Sequence, residues 1–420
     1  MPDTLQPWQV YTNEAMRILK NKRVFLKGCN RDNQHLFAKP GMKSGQQINI
    51  RLPARFTTRS GEGYAPQPYQ QTSIPVNVRP LMGVDVDIPS SEWTLNIEDV
   101  KRDILAPAMS QLVNDIERDC LQMAYRGVAN FVGTPGVAPT TSTTVLQANA
   151  YITNEGGPDD DTRRMLLSPN TNVSLVPAFQ GLFNPQNKVA TQFERGLIGK
   201  NTLGFDHYQT QNLWQHQVGP LGGTPAVSAT ANQSGTSITT TGWTAAVGLR
   251  LRQGDIIQFA AVNATNPQTR ATYGSLRNCV VTADVYSDGS GNATIPISCG
   301  IAGGLIAAPA QFCTVDALPA AGALISVFGV AAAGQAALAN TYTTQCMGYH
   351  KDAFTFAGIS QEVPKGSTDV AYQATDPDTG VMLRFIRQFQ AKENQFVNRF
   401  DVMYAFGVPY GQLGVRMCSN

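Results

Sequence analysis

One stretch of the sequence, from Pro107 to Gly127, has a clear helical pattern. Its apolar residues recur at spacings of three and four, which places them along one face of an α-helix. About 20 residues at 1.5 Å each form a rod of roughly 30 Å, so the fold has to accommodate a long helix. The residues predicted to form the buried face of this helix are Met109, Leu112, Ile116, Cys120 and Met123.

Extended segments on either side of this helix predict β-strands. Residues 48–52 alternate apolar and polar side chains, and a second extended run over 74–78 returns after a turn. The tip between them, Ser60–Pro66, is too rich in Gly and Pro to bury itself, so it is expected to rest on another surface. A further strand is predicted over Arg399–Phe406. A long helix together with such strands predicts the α+β class.

The composition changes at Pro220–Gly223, and from there to about residue 340 the chain is rich in Thr, Gly and Ala. Short β signals recur in this region, including a hairpin between Cys279–Tyr286 and Ala293–Ser298, while helical periodicity is nearly absent. The sequence therefore predicts a small all-β domain inserted over residues 222–340. The residues predicted to form its core are Ile256, Ile257, Phe259, Val281, Ile295 and Ile297.

The chain carries little charge for its length. Charged residues make up 15% of the 420, against about 25% in a typical soluble protein. Apolar residues are spread along the chain, which argues against intrinsic disorder. The near balance of 32 basic and 30 acidic residues argues against a strongly basic nucleic-acid-binding protein. Such weak charge suits a surface that is covered by copies of the same protein.

Seven cysteines are scattered along the chain, and no two of them form a CxxC pair. The first residues lack the basic start and the apolar region of a signal peptide. No run approaches the roughly 18 apolar residues of a membrane span. We therefore expect reduced thiols in a cytosol and no membrane partner.

The sequence contains no P-loop, GxGxxG, HExxH or GxSxG motif. His207 and His216 lie near Asp206 in the sequence and could hold a metal, but ordinary polar packing explains them better. Asp159–Asp161 and Asp376–Gly380 resemble parts of cation-binding loops, and turns explain both of them better. The sequence thus predicts no catalytic residue, no cofactor and no metal.

Several short stretches, taken in their order and spacing, resemble one family of proteins. These stretches are Val76–Asp87, Trp93–Asp99, Leu105–Ala108, Glu194–Gly199, Leu203–Asp206, Gly348–Phe354, Leu383–Phe385 and Arg399–Tyr404. With them the chain resembles the coat proteins of tailed phages that have the Hong Kong 97 (HK97) fold. It is most similar to the coat proteins of the short-tailed Salmonella phage P22 type, which carry an inserted I-domain.

The resemblance implies the architecture of the HK97-like capsid fold. An N-terminal arm is expected over residues 1–40, an E-loop hairpin over 41–80 and a P-domain with the spine helix over 81–135. The first part of the A-domain is expected over 136–221, the I-domain-like β insert over 222–340 and the return of the A- and P-domains over 341–420. One departure is Ser228–Thr240, which is short and uncharged where relatives have a longer charged loop.

The resemblance implies a major capsid protein, not an enzyme, that self-assembles into the icosahedral shell around the double-stranded DNA genome of a bacteriophage. The expected partners are other copies in hexameric and pentameric capsomers, a scaffolding protein during assembly, the portal protein, and packaged DNA bound non-specifically. The expected location is the virion, after assembly in the cytoplasm of the host bacterium. Two alternatives stay open. One is a β-rich hydrolase, for which we find no nucleophile–base pair, and the other is a carbohydrate-binding or adhesin module, suggested by the Thr- and Gly-rich insert.

Charge is unevenly distributed between two neighbouring segments. Residues 41–80 carry a net charge of +4, and residues 81–103 carry a net charge of −4. Because the resemblance implies an E-loop that crosses the neighbouring subunit near its spine helix, we expect these segments to meet between subunits. Solvated faces are one alternative, and apolar packing of Tyr64, Pro66 and Tyr69 is another. The residues predicted at the contact are Lys43, Arg51, Arg55, Arg59, Glu62, Tyr64, Asp85, Asp87, Glu98 and Asp99.

Overall fold

Contacts divide the chain into two compact units. Unit 1 comprises Met1–Ile50, Ile74–Leu121 and Phe354–Gly407, and unit 2 comprises Arg51–Ser73, Gln122–Ala353 and Val408–Asn420. The structure is a computed structural model, and it describes residues 13, 15–17, 24–37, 44–64, 66–69, 71–89, 106–179, 202–300, 303–307, 311–364, 370–376 and 380–420.

The described residues form a mixture of helices and strands, which agrees with the α+β class predicted from the sequence. No helix in this part of the chain is long and apolar enough to cross a membrane. The α-helices are α1 (Gln34–Phe37), α2 (Ala106–Gly127), α3 (Ser142–Asn154) and α4 (Pro169–Phe179), and short 3-10 helices span Leu26–Gly28, Ala332–Ala337, Lys351–Ala353 and Gly411–Leu413. The strands are β1 (Gln47–Arg51), β2 (Ser73–Val78), β3 (Met82–Pro89), β4 (Phe131–Val132), β5 (Arg164–Leu167), β6 (Asp206–Gln209), β7 (Gln215–Gln217), β8 (Gly223–Val227), β9 (Ser237–Trp243), β10 (Gly248–Leu251), β11 (Ile256–Phe259), β12 (Asn263–Thr265), β13 (Thr272–Leu276), β14 (Cys279–Val281), β15 (Val285–Ser287), β16 (Ala293–Ser298), β17 (Ile325–Val327), β18 (Tyr342–Tyr349), β19 (Thr355–Gly358), β20 (Val370–Thr375), β21 (Met382–Gln390), β22 (Gln395–Val402), β23 (Tyr404–Gly407) and β24 (Gly414–Ser419).

Helix α2 is the long helix that the sequence predicts. Its buried side chains form two adjacent rows with i, i+4 spacing, one through 109, 113, 117, 121 and 125 and one through 112, 116, 120 and 124. Met109, Leu112 and Ile116 are at most 2% exposed. The prediction for Met123 is wrong, because this residue lies beside the two rows and its side chain is only half-buried.

A carboxylate lies within this buried stripe. Glu117 is 1% exposed, although a charged residue of an amphipathic helix would be expected on the solvent side. Its Oε1 atom accepts the backbone N–H groups of Val24 at 2.7 Å and Phe25 at 2.9 Å. The helix thus fixes the chain segment around residues 24–25 by hydrogen bonds to a charged acceptor, which are among the stronger hydrogen bonds in proteins.

Unit 1 contains two four-stranded sheets. Their strand orders are β1-β2-β23-β19 and β20-β21-β22-β3. The second sheet is antiparallel throughout, with Phe385 opposite Phe400 and Phe400 opposite Val84. The single strand predicted over Arg399–Phe406 is wrong, because β22 ends at Val402 and β23, which begins at Tyr404, belongs to the other sheet.

In unit 2, a six-stranded sheet packs against helix α3. Five of its strands follow the order β4-β24-β18-β5-β6, and β7 also pairs with β18. The helix contributes Val145, Ala148 and Ile152 to a buried cluster that includes Met165 and Met417. Parallel pairs at β24–β4 and β5–β6 combine with antiparallel pairs at β18, so this sheet is mixed.

Unit 2 also contains the β-rich region from residue 222 to 340, called here the inserted β region. Its main sheet has the order β17-β11-β14-β16-β9-β8. The predicted hairpin is partly wrong, because β14 ends at Val281 and pairs with β16, whereas β15 pairs with β10 instead. The six residues predicted for its core are all at most 2% exposed and belong to one apolar cluster: Ile256, Ile257, Phe259, Val281, Ile295 and Ile297.

The expectation of reduced thiols is wrong for one pair of cysteines. Cys279 and Cys299 form a disulfide and are separated by 20 positions in the sequence. The antiparallel pairing of β14 with β16 sets Val280 opposite Ser298, so the two cysteines are brought face to face at the ends of these strands. Sequence spacing alone could not reveal this pairing. The remaining five cysteines are free and buried.

The disulfide should contribute measurably to stability. We expect Cys279→Ser to lower the free energy of unfolding of the oxidised protein by about 3 kcal/mol, because a closed loop of roughly 20 residues restricts the unfolded chain. Denaturant titration with and without a thiol reductant measures this loss. The reductant should destabilise the wild type and leave the variant unchanged.

Cys313→Ser is the matched control, since Cys313 is a buried free cysteine of the same region. This control should keep its sensitivity to the reductant. A wild-type protein that shows no response to the reductant would contradict a stabilising disulfide.

Candidate assembly interface

The segment of residues 52–72, called here the hairpin loop, connects β1 to β2. Regular secondary structure is absent from its described residues. Three aromatic side chains on it are exposed, namely Phe56 (63%), Tyr64 (90%) and Tyr69 (68%). Aromatic residues are enriched at protein interfaces relative to the rest of the surface, so their exposure makes this loop a candidate binding segment.

The base of the hairpin loop is held by hydrogen bonds across the loop. The N–H group of Leu52 donates to the carbonyl oxygen of Thr72 at 2.8 Å, and the Leu52 side chain is 2% exposed. The N–H group of Thr57 donates to Oε1 of Gln67 at 2.7 Å, and the Gln67 amide donates back to the carbonyl oxygen of Thr57. The two arms are therefore tied together below an exposed tip.

The inserted β region contacts the hairpin loop through Arg270, Gln311 and Phe312. Arg270 Nη2 donates to the carbonyl oxygen of Phe56 at 3.2 Å. Gln311 Nε2 donates to Oε1 of Gln67 at 3.3 Å. The guanidinium carbon of Arg55 lies 5.7 Å from the centre of the Phe312 ring. The sequence did not predict these contacts, because they join residues that are more than 200 positions apart and no short motif marks them.

Arg55 therefore packs within its own chain. Burial lowers the pKa of its guanidinium, and the nearby carboxylate of Glu155 partly offsets this effect. A cation that is half-buried beside an aromatic ring is less available to a neighbouring subunit than its position in the sequence suggested. Its predicted role between subunits is accordingly weaker than that of the exposed arginines.

The structure places the other predicted contact residues as follows. Arg51, Arg59, Glu62 and Tyr64 are exposed. Asp85 and Asp87 are exposed on β3, and Asp85 Oδ1 lies 3.8 Å from Nε of Arg399. Lys43, Glu98 and Asp99 lie outside the described residues. A contact between the basic and acidic segments of different subunits therefore stays a prediction.

Arg79, which is part of the positive charge of residues 41–80, is paired within unit 1. Its Nε donates to Oδ2 of Asp119 on helix α2 at 2.9 Å, and its Nη2 donates to Oδ1 at 2.5 Å. The buried hydroxyl of Tyr404 also donates to Oδ2 of Asp119, at 2.6 Å. The hydrogen bond to Asp119 raises the pKa of Arg79. Arg79, which directly follows β2, thus joins the end of that strand to helix α2.

A second ionic cluster lies on the β20-β21-β22-β3 sheet. Asp401 is fully buried, and its carboxylate accepts hydrogen bonds from Arg384 at 2.7 Å and from Arg399 at 2.8 Å. The pairing with Asp401 raises the pKa of Arg399. Two cations around one buried carboxylate satisfy its acceptors, which is the condition under which a buried charge is tolerated.

The residues considered for metal binding have other partners. His207 Nε2 lies 3.1 Å from the carbonyl oxygen of Thr202, and burial lowers the pKa of His207 to about 4. His216 Nε2 lies 2.8 Å from Oδ1 of the buried Asp255. The part of the chain that the structure describes contains no cluster of three or more side chains suited to hold a metal ion.

The two acidic turns also make local contacts. Asp160 Oδ1 accepts hydrogen bonds from the hydroxyl of Thr162 at 2.8 Å and lies 3.0 Å from Nε2 of His350. The N–H group of Asp376 donates to the carbonyl oxygen of Val381 at 2.9 Å, and the carbonyl oxygen of Asp376 accepts the N–H group of Gly380 at 2.8 Å. These two hydrogen bonds close a tight turn. Residues 377–379 of that turn lie outside the described residues.

Comparison with known proteins identifies the family. The family model described as "P22 coat protein - gene protein 5" matches residues 9–418 of the chain. The chain belongs to the P22 coat protein family. Among curated protein sequences, none matches it.

Solved phage structures resemble the chain at low sequence identity. A structure from Mycobacterium phage Che8 is 12% identical with a TM-score of 0.45, over 94% of this chain and 90% of that one. The mature capsid of bacteriophage PhiM1 is 12% identical with a TM-score of 0.40, over 94% and 86%. The capsid of Ralstonia phage GP4 is 8% identical with a TM-score of 0.41, over 95% and 92%. All three TM-scores are below 0.5, so the assignment to the family rests on the family model alone.

Membership of the P22 coat protein family confirms the capsid fold and the function that the resemblance implied. The chain is a major capsid protein, and copies of it form the capsid shell of a bacteriophage. Its place is in the virion.

The Arg79–Asp119 pair should be a strong contact within the subunit. In a double-mutant cycle with Arg79→Ala and Asp119→Asn, we expect a coupling free energy of about 1–3 kcal/mol, because two charge-assisted hydrogen bonds are partly shielded from water. Chemical denaturation of the four proteins measures the coupling. Arg59→Ala, at an exposed arginine, should change the unfolding free energy by less than about 0.5 kcal/mol. A coupling near zero would show that the pair is not formed in solution.

Proposed function

We propose that the hairpin loop is the element through which one copy of the chain binds the next in hexameric and pentameric capsomers. The observation that carries this proposal is the exposure of Phe56, Tyr64 and Tyr69 on a loop whose base is fixed. A single chain leaves these rings in water, whereas a closed ring of subunits offers each of them a neighbouring surface.

Typical interaction energies favour aromatic packing over ion pairing as the main contribution to binding between subunits. Tyrosine is enriched among the residues that dominate protein interfaces, where truncation of such a residue often costs about 2 kcal/mol or more. An exposed ion pair is worth only about 0–1 kcal/mol. Arg51 and Arg59 still favour a neighbour that presents acidic groups, such as Asp85 and Asp87 on β3.

The proposal extends to the other expected partners. A scaffolding protein would guide assembly in the cytoplasm of the host bacterium, and a portal protein would occupy one position of the shell. The packaged double-stranded DNA would be bound weakly and without sequence preference. A net charge of +2 supports this, because tight binding to phosphates requires many unpaired cations. We propose no catalytic role for the chain.

Removal of two exposed tyrosines from the hairpin loop should impair assembly without unfolding the subunit. We expect Tyr64→Ala with Tyr69→Ala to raise the concentration needed for shell formation by about tenfold or more, because each tenfold step corresponds to about 1.4 kcal/mol. Light scattering and electron microscopy of purified subunits measure this change. Circular dichroism should show an unchanged fold, since both side chains are exposed.

A matched control replaces two tyrosines elsewhere. Tyr286 and Tyr342 are each 62% exposed, and neither lies on the hairpin loop. Tyr286→Ala with Tyr342→Ala should assemble more readily than the loop variant. If both double variants assemble like the wild type, the loop tip is not the binding element.

The charge contribution is tested at Arg59, because Arg55 is half-buried. Arg59→Glu should slow assembly about two- to fivefold at low salt, as expected for one exposed pair per contact. The difference from the wild type should shrink near 1 M salt, where the screening length falls to about 3 Å. Assembly of this variant at the wild-type rate at low salt would leave apolar packing as the better explanation.

A further inference from the structure

We propose that the inserted β region positions the hairpin loop of its own chain for binding to a second copy, and that Arg270 and Gln311 are the positioning residues. This inference rests on the proposed function, in which the loop tip binds a neighbouring subunit. It assigns to the inserted β region a task inside its own subunit, in addition to any contact that it makes between subunits.

Arg270 and Gln311 hold one arm of the loop each. Arg270 donates to the backbone of residue 56 on the outgoing arm, at 3.2 Å. Gln311 donates to the side chain of Gln67 on the returning arm, at 3.3 Å. Because Gln67 and Thr57 are themselves bonded across the loop, these two donors hold both arms as one piece.

The turn that carries Arg270 is held by several hydrogen bonds. Arg270 has a φ of +58°, a left-handed conformation that residues other than Gly rarely adopt. Its N–H group donates to the carbonyl oxygen of Asn266 at 2.9 Å. The side-chain Oδ1 of Asn266 accepts the N–H groups of Gln268 and Thr269 at 2.8 and 3.0 Å. Such a strained conformation persists only where the surrounding structure holds it, as these bonds do here.

The turn is also joined to the body of unit 2. Asn266 Nδ2 donates to the carbonyl oxygen of Asn154, at the end of helix α3, at 2.7 Å. The guanidinium of Arg270 is therefore presented to the loop from a fixed support. Movement of the loop relative to the inserted β region would have to break the bond between Arg270 and Phe56.

A cavity limits the contacts between the hairpin loop and the rest of unit 2. A cavity of about 430 Å³, lined by Leu52, Arg55, Glu155 and Tyr410 among others, lies between the base of the loop and the rest of unit 2. Continuous apolar packing does not fill this space. The orientation of the loop therefore depends on a small set of contacts beside the cavity, and the hydrogen bonds of Arg270 and Gln311 are the polar ones among them. Removal of both should loosen the loop, even though Arg55 still packs over Phe312.

The exposed tyrosines indicate that the inserted β region presents the hairpin loop to a neighbour and does not sequester it. If the inserted β region sequestered the loop to prevent assembly, the aromatic side chains would be buried against it. Tyr64 and Tyr69 are instead 90% and 68% exposed, while the anchored side chains of Leu52 and Gln67 are more protected. Fixing the loop before assembly reduces the conformational entropy that binding would otherwise have to remove.

The test compares a double variant, which carries both Arg270→Ala and Gln311→Ala, with the single variant Arg252→Ala. Both are studied as the unassembled full-length chain. Arg252 is an arginine of the same region that lines a different cavity, beside Trp214 and Asp284. Hydrogen exchange of a peptide covering residues 53–69 measures loop mobility, and light scattering measures the rate of assembly. Circular dichroism and thermal unfolding verify that each variant is folded.

We expect the double variant to exchange faster over residues 53–69 and to assemble about tenfold more slowly, because the loop must then be ordered during binding. Arg252→Ala should change neither quantity. Faster exchange with faster assembly would show that the contact restrains assembly, and would overturn the proposal. Unchanged exchange, or faster exchange with an unchanged assembly rate, would overturn it as well.

The outcome is separable from that of the proposed function. If the tip variant Tyr64→Ala with Tyr69→Ala assembles poorly and the Arg270 and Gln311 variant assembles normally, the loop binds a neighbour but needs no positioning. If the tip variant assembles normally, the proposed function fails, whatever the second variant does.

Discussion

Helix α2 can bury a broad stripe because the one carboxylate inside that stripe is satisfied. Glu117 lies among apolar neighbours, where an unpaired charge would cost several kcal/mol, on the order of a whole domain's net stability. Two backbone N–H groups from residues 24 and 25 meet it. The same helix carries Asp119, which holds Arg79 and Tyr404. In unit 1, the segments before and after the helix are thus positioned by two of its acidic residues, Glu117 and Asp119.

The parts of the fold that depend on local periodicity could be predicted from the sequence. Helix α2, the strands that flank the hairpin loop and the apolar core of the inserted β region all follow from spacing and composition. The parts that depend on pairing between distant residues could not. Arg55 carried the same sequence signal as Arg59, yet Phe312 lies beside only one of them. The Cys279–Cys299 bond likewise depends on the register of β14 against β16, which no local pattern encodes.

An assembling subunit has to keep its binding surface in water until a neighbour arrives. In this chain the surface that we propose for that contact is aromatic, and it lies on a segment whose base is bonded internally. The cationic groups around it are divided, since Arg55 and Arg79 are paired within the subunit while Arg51 and Arg59 remain exposed. Weak overall charge then limits repulsion when many copies pack side by side.

The acceptor that Arg270 uses on the hairpin loop is a backbone carbonyl, that of Phe56. A carbonyl oxygen is present whatever side chain occupies the position. Mutations that change the chemistry of the tip therefore leave this anchor intact. Related phages could diversify the tip, and with it the choice of neighbouring subunit, while the loop keeps its course. Selection on Arg270 and selection on the loop tip would then act on different residues. Coat proteins that share a cell could diverge at the tip until they no longer co-assemble.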